Sequence, residues 1–106
     1  MIDEATINRA VELLRQAAPG STIIVFGSCA RGEITEDSDL DLLVVEPTVA
    51  SPHDEIVRLS DVLRPLRIPA DVLVASKETF EYWADTPNTI YCEVAREGRV
   101  FHATLA

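Results

Sequence analysis

No apolar run in this sequence approaches the ~20 consecutive residues that a membrane-spanning helix needs. The stretch from Met1 to Arg9 mixes Asp3, Glu4 and Arg9 with apolar residues. It lacks the basic start and apolar centre of a secretory signal. Cysteine is scarce: Cys29 and Cys92 are the only two, and neither has a CxxC or CxxH neighbour. A disulfide framework and a zinc site are therefore not expected, and two free thiols are. Basic residues are also few, 9 against 18 acidic ones, for a net charge of −9. Phosphate backbones attract such a chain poorly, which sets non-specific nucleic-acid binding aside. Bound cations or a basic protein partner suit it, although acidic charge alone also serves solubility. These absences lead us to expect a cytoplasmic protein, away from the membrane.

What is present is an ordinary globular composition, 47% hydrophobic and 25% charged over 106 residues. That length predicts one domain, residues 1–106, burying roughly two-thirds of its unfolded surface. It leaves no room for a second, substrate-binding domain. No internal repeat, low-complexity tract or interdomain linker interrupts it.

In chain order, Ile7, Val11, Leu14 and Ala18 share one helical face, predicting a helix over Asp3 to Ala18. Pro19-Gly20 stops it. Thr22 to Phe26 is apolar, β-branched and aromatic, as in a strand buried on both faces. Ser28 to Gly32 reads as a helical turn and Glu33 to Ser38 as a polar loop, with Ser38 bracing it. Asp39 to Glu46 is a second strand. Ser51-Pro52-His53-Asp54 has a box-like helix start, and the helix frays near Pro65. Ala70 to Ala75 is a third strand. Ser76 caps a short helix through Trp83, and Pro87 starts another in which Ile90, Val94 and Tyr91 face the core. Gly98 stops that helix, and Arg99 to His102 forms a last strand. Helices alternating with short strands predict an α/β or α+β fold with one small sheet. His53 and His102 have no ligand partners and read as surface residues. Tyr82, Trp83 and Tyr91 are read first as core, with an interaction patch as the other reading.

The chemistry concentrates between Gly27 and Leu42. Gly27 offers a bare backbone N–H, and Ser28 a hydroxyl and an N–H at the start of a turn, which suits a phosphate. Arg31, one turn on, can touch a phosphate or pair with Glu33 or Glu36. Asp39 and Asp41, two residues apart on a strand, point to one face while Leu40 points into the core. Asp71 starts another strand. If the two strands are neighbours, three carboxylates converge at one sheet edge. Carboxylates so grouped can hold two divalent cations, which neutralise a triphosphate and help deprotonate an attacking hydroxyl.

Gly27-Ser28, ten residues, then Asp39-Leu40-Asp41 resembles the signature of the polymerase-β-like nucleotidyltransferases. The fuller pattern Gly-Ser-x-Ala-Arg-Gly…Ser-Asp-x-Asp-Leu resembles the minimal nucleotidyltransferases (MNT) of that superfamily. The resemblance implies a small mixed sheet flanked by helices and a site for two magnesium ions. Asp39 and Asp41 would bind both metals. Asp71 would bind one and help deprotonate the acceptor. ATP would be the nucleotide, with Gly27, Ser28 and Arg31 against its phosphates. The resemblance further implies an antitoxin paired with a helical HEPN ribonuclease toxin, in a hetero-oligomer, and transferring AMP to a toxin tyrosine. An antitoxin acting by binding alone and a small-molecule adenylyltransferase are the alternatives.

Overall fold

Thr22–Phe26 forms β1, one of the two inner strands of a four-stranded sheet ordered β3-β2-β1-β4. The computed structural model describes residues 2–102. β2 (Leu40–Glu46) lies antiparallel to β1 on one side, and β4 (Arg99–His102) lies antiparallel to it on the other. β3 (Ala70–Ser76) runs parallel to β2 and forms one edge, with β4 at the other. The sheet is mixed: a helical crossover joins β2 to the parallel β3, while the chain returns from β3 through two further helices to lay β4 antiparallel to β1.

Side-chain alternation gives the two inner strands two buried faces. Ile23, Val25, Leu40, Leu42 and Val44 point to one face, where α1 (Glu4–Ala17) and α3 (Pro52–Leu63) cover them with Ile7, Leu14 and Leu59. Ile24, Phe26, Leu43 and Val45 point to the other. There α4 (Lys77–Trp83) and α5 (Ile90–Glu97) pack, with Phe80, Tyr91 and the buried Val94. Continuous apolar runs in β1 and β2 are what a sheet covered on both faces requires. The remaining helix, α2 (Ser28–Arg31), is a single turn between β1 and the loop that leads to β2.

Side-chain caps start three of the helices. Asp3 accepts from the Thr6 N–H, Ser76 from that of Thr79 and Thr89 from that of Cys92. The box expected at Ser51 does not form. Ser51 has ψ 101°, against 154–174° at the three working caps. That rotation takes its hydroxyl away, and only its carbonyl is used, by the Glu55 N–H at 3.1 Å. The helix expected to begin at Pro87 begins at Ile90, because Asn88 sits in the left-handed region at φ +69° and breaks the turn. Ile90 is exposed rather than core. The other helix ends as the sequence indicates: α3 passes into a 3-10 turn, Arg64–Leu66, at Pro65. Gly98 is also a stop, but with extended φ and ψ, and its smallness is what matters. A Cβ there would overlap the Ile24 side chain and the Val94 carbonyl.

At the far end of β2, Glu46 leans toward α3 with one carboxylate oxygen buried and unbonded. Burial, then the adjoining Glu55 carboxyl, push Glu46 up to about 7. Arg58, bonded to Glu55 at 2.6 and 2.8 Å, holds Glu55 well below the usual carboxylate range. Burial and the neighbouring Glu55 charge both disfavour the ionised Glu46, and a proton on Glu46 relieves both. The protonated form therefore stabilises the fold, fully below the ordinary value of 4.5 and decreasingly as pH rises through about 7. Chemical denaturation at pH 5 and pH 8 is expected to show a loss of stability on going up, and Glu46→Gln is expected to flatten it.

Candidate active site

The sheet register settles the arrangement of the acidic residues. Asp41 and Asp71 are paired positions on the parallel strands β2 and β3, so their side chains emerge side by side on the α4/α5 face. Asp39 precedes β2. The Leu40 N–H donates to the Pro69 carbonyl at 2.9 Å, which ties the two strands together at this end. Asp41 is also the register partner of Phe26, so the residue after Phe26, Gly27, lies against it. A Cβ on Gly27 would overlap Asp41 Oδ2. Gly27 further has φ +72° and ψ −152°, a combination that side chains other than glycine's hydrogen disfavour strongly.

From Gly27 the chain enters α2. The Gly27 carbonyl accepts from the Ala30 and Arg31 N–H groups at 3.1 and 3.2 Å, and the Ser28 carbonyl from that of Glu33 at 2.9 Å. The turn closes at Gly32 in the left-handed conformation, φ +74°. Ser38 braces the following loop by accepting from the Thr35 N–H at 2.8 Å. Cys29, which the sequence left without a role, is buried beneath the turn, and its thiol donates to the Asp39 carbonyl at 3.5 Å. Burial and the nearby Asp41 carboxylate push this thiol up, so it stays protonated and serves as a tether between turn and loop.

Asp41 is the electrostatic centre. Partial burial raises its carboxyl above the ordinary range; Asp71, Asp39 and Glu93 raise it further, and Arg31 alone opposes them. Asp39, Asp41 and Asp71 are thus brought to one end of the sheet. Among the described residues, no three His, Cys, Asp or Glu side chains are gathered closely enough to enclose an ion as they stand. The backbone places the carboxylates, and their side chains remain apart. The donor set still fits magnesium: hard carboxylate oxygens on adjoining strands, one of them held in excess negative potential.

Arg31 pairs with Glu33 at 3.4 Å and with Glu97 of α5 at 3.7 Å, the ion-pair reading of its two. Glu93 and Glu97 were not legible as site residues. They lie more than fifty residues beyond Asp41 on a helix whose approach to β1 is set only by tertiary packing. A groove of about 480 Å³ runs along this helix, from Asn88 and Ile90 past Cys92 and Glu93 to Glu97. His53 is exposed as expected, and the side chain of His102 lies outside the described residues. Tyr91 packs edge-on to Phe80, while Tyr82 and Trp83 are 73% and 41% exposed, so the core reading fails for those two. Among the described residues no helix is long and apolar enough to cross a membrane.

A small mixed sheet with helices on both faces and a Gly-Ser turn against aspartates on neighbouring strands defines a polymerase-β-like nucleotidyltransferase core. Residues 7–99 match the family described as the nucleotidyltransferase domain, and the chain belongs to that family. It is a nucleotidyltransferase. One relative, the "Putative protein adenylyltransferase MJ0604" of Methanocaldococcus jannaschii, is 31% identical over 105 residues, covering 96% of this chain and all of that one. A solved structure described as a toxin-antitoxin with AMP-PNP shares the fold, with TM-score 0.57 and 22% identity over 92% of this chain and 73% of the other.

Proposed function

We propose that this chain transfers AMP from ATP to a hydroxyl of a partner protein, with two magnesium ions, and that it acts as an antitoxin toward a HEPN-type ribonuclease toxin. The observation that carries the reading is the Asp41–Asp71 register, with Gly27 packed against Asp41. The Gly27-Ser28 turn and the two carboxylates then lie close together, which supports giving them the phosphate and base roles. The relative named as a protein adenylyltransferase supports the choice of a protein acceptor. The toxin-antitoxin neighbour with its ATP analogue supports the nucleotide and the partner class.

In this reading the backbone N–H groups at Gly27 and Ser28 receive phosphate oxygens. Arg31 exchanges Glu33 and Glu97 for phosphate. Asp39 and Asp41 hold the magnesium ions and Asp71 holds one of them. Bound magnesium supplies charge neutralisation at the phosphates and acidifies the acceptor hydroxyl. Asp71 accepts that hydroxyl's proton. The acceptor oxygen bonds to the α-phosphorus, the bond from the α-phosphorus to the bridging oxygen breaks, and pyrophosphate leaves.

The residues divide the work, so their variants separate it. Asp71→Asn is expected to keep most of its affinity for ATP with magnesium and to lose transfer, by at least about a hundredfold. Calorimetric ATP binding and labelled-AMP transfer to the purified product of the adjacent gene measure the two. Equal losses in both would remove Asp71 from the role of base.

A further inference from the structure

The described residues include six large hydrophobic side chains left exposed: Val57, Leu73, Tyr82, Trp83, Ile90 and Val100. Four of them lie on the α4/α5 side of the sheet. Leu73 follows Asp71 by two positions on the edge strand, so alternation puts it on the same face as Asp71 and Asp41. Tyr82 and Trp83 end α4, with their rings edge-on at 4.9 Å. Ile90 begins α5 directly beside them, because the Thr89 hydroxyl donates to the Trp83 carbonyl at 3.2 Å. The groove along α5 starts at Ile90 and leads past Glu93, whose charge is felt at Asp41. The apolar residues at the α4–α5 junction therefore adjoin this groove at Ile90.

Its surroundings are charged in one sense. Between Lys77 and Glu97 the acidic residues Glu78, Glu81, Asp85, Glu93 and Glu97 outnumber the two basic ones, Lys77 and Arg96. All five acids are exposed. Two exposed aromatics inside an acidic rim match a surface that presents arginine, which stacks on aromatic faces and pairs with carboxylates. Tyrosine and tryptophan are also the residue types that most often anchor protein interfaces. A second copy of this chain would set like charges against one another.

We infer that the α4–α5 junction, centred on Tyr82 and Trp83, is the docking surface for the acceptor protein, which meets it with an arginine-bearing surface. The partner's hydroxyl then reaches the site along the α5 groove. This inference rests on the proposed transfer to a protein, but it concerns binding and can fail separately.

The test uses the full chain and the purified product of the adjacent gene as probe, with affinity measured by calorimetry. Tyr82→Ala with Trp83→Ala is expected to weaken binding at least tenfold. Glu81→Lys with Asp85→Lys is expected to weaken it severalfold and to lessen its salt dependence. Both variants should keep the wild-type thermal shift with ATP and magnesium, which shows that fold and nucleotide site are intact. Unchanged affinity in the aromatic variant overturns the inference. So does a wild-type chain that ignores the probe but self-associates through Tyr82 and Trp83. Binding that needs the two aromatics, without any AMP transfer, supports the surface and counts against the proposed reaction.

Discussion

Asp41→Asn is expected to abolish nucleotidyl transfer and, in the absence of divalent cations, to melt at a higher temperature than the native protein. The two effects have one cause. Burial, Asp71, Asp39 and Glu93 all disfavour the ionised Asp41 carboxylate, and Arg31 alone favours it. A group held above its ordinary value of 3.8 favours the fold when protonated and opposes it when ionised. Its stabilising contribution is complete below that ordinary value and disappears as pH rises through the raised one. At neutral pH the neutral amide removes the repulsion, and Tm should rise. The loss of transfer should be at least about a thousandfold, roughly 4 kcal/mol of barrier. ATP with magnesium should raise the native Tm and leave that of the variant nearly unmoved. Scanning calorimetry in chelator, then with ATP and magnesium, checks both halves. A variant that melts lower in chelator would mean that Asp41 is not in excess negative potential.

Gly27→Ala carries the second large effect. A methyl group here meets two penalties at once: a φ/ψ pair costing of order 1–3 kcal/mol for other residues, and overlap with the Asp41 carboxylate. Either the turn or the carboxylate must move. We expect Tm to fall by roughly 5–15 °C and transfer to fall with it, since the turn and Asp41 are displaced together. Gly32→Ala is the matched control. Gly32 also has positive φ, but a Cβ there would meet nothing within 4 Å. Its cost should be about 1 kcal/mol from the left-handed backbone alone, and the activity of the folded protein should persist. Thermal melts of the two variants with transfer assayed below both midpoints distinguish them. Equal losses would make the Asp41 contact irrelevant.

The parts of the site legible in the sequence are those written in one contiguous stretch. Gly27, Ser28, Asp39 and Asp41 fall within sixteen residues, and their alternation and turn chemistry are local properties. Asp71 was legible as a strand-start carboxylate, but its partner was not. Only the parallel pairing of β2 with β3 makes it the neighbour of Asp41. Glu93, Glu97 and the Cys29 tether were hidden because helix spacing and a lone thiol carry no information about what they pack against. The strands and most helix limits followed from apolar periodicity and caps. The errors came where backbone geometry overrode a residue type. Ser51 is turned out of capping position by its ψ, and Asn88 delays α5 past Pro87. For Tyr82 and Trp83 residue type favours the core reading over the interaction patch, and both instead end α4 exposed.

In the proposed function one small fold holds the nucleotide half of a transfer reaction at the Asp41–Asp71 end of β2 and β3, with the acidic, aromatic α4–α5 surface for the acceptor. The acceptor half is expected to come from another protein. The most direct test of that claim is the intact mass of the purified product of the adjacent gene after incubation with this chain, ATP and magnesium. The account predicts a gain of one or more AMP units, on a tyrosine, that disappears with the Asp39→Asn, Asp41→Asn double variant. An unchanged mass, together with full neutralisation of the proposed toxin partner by that double variant at matched expression, would contradict it.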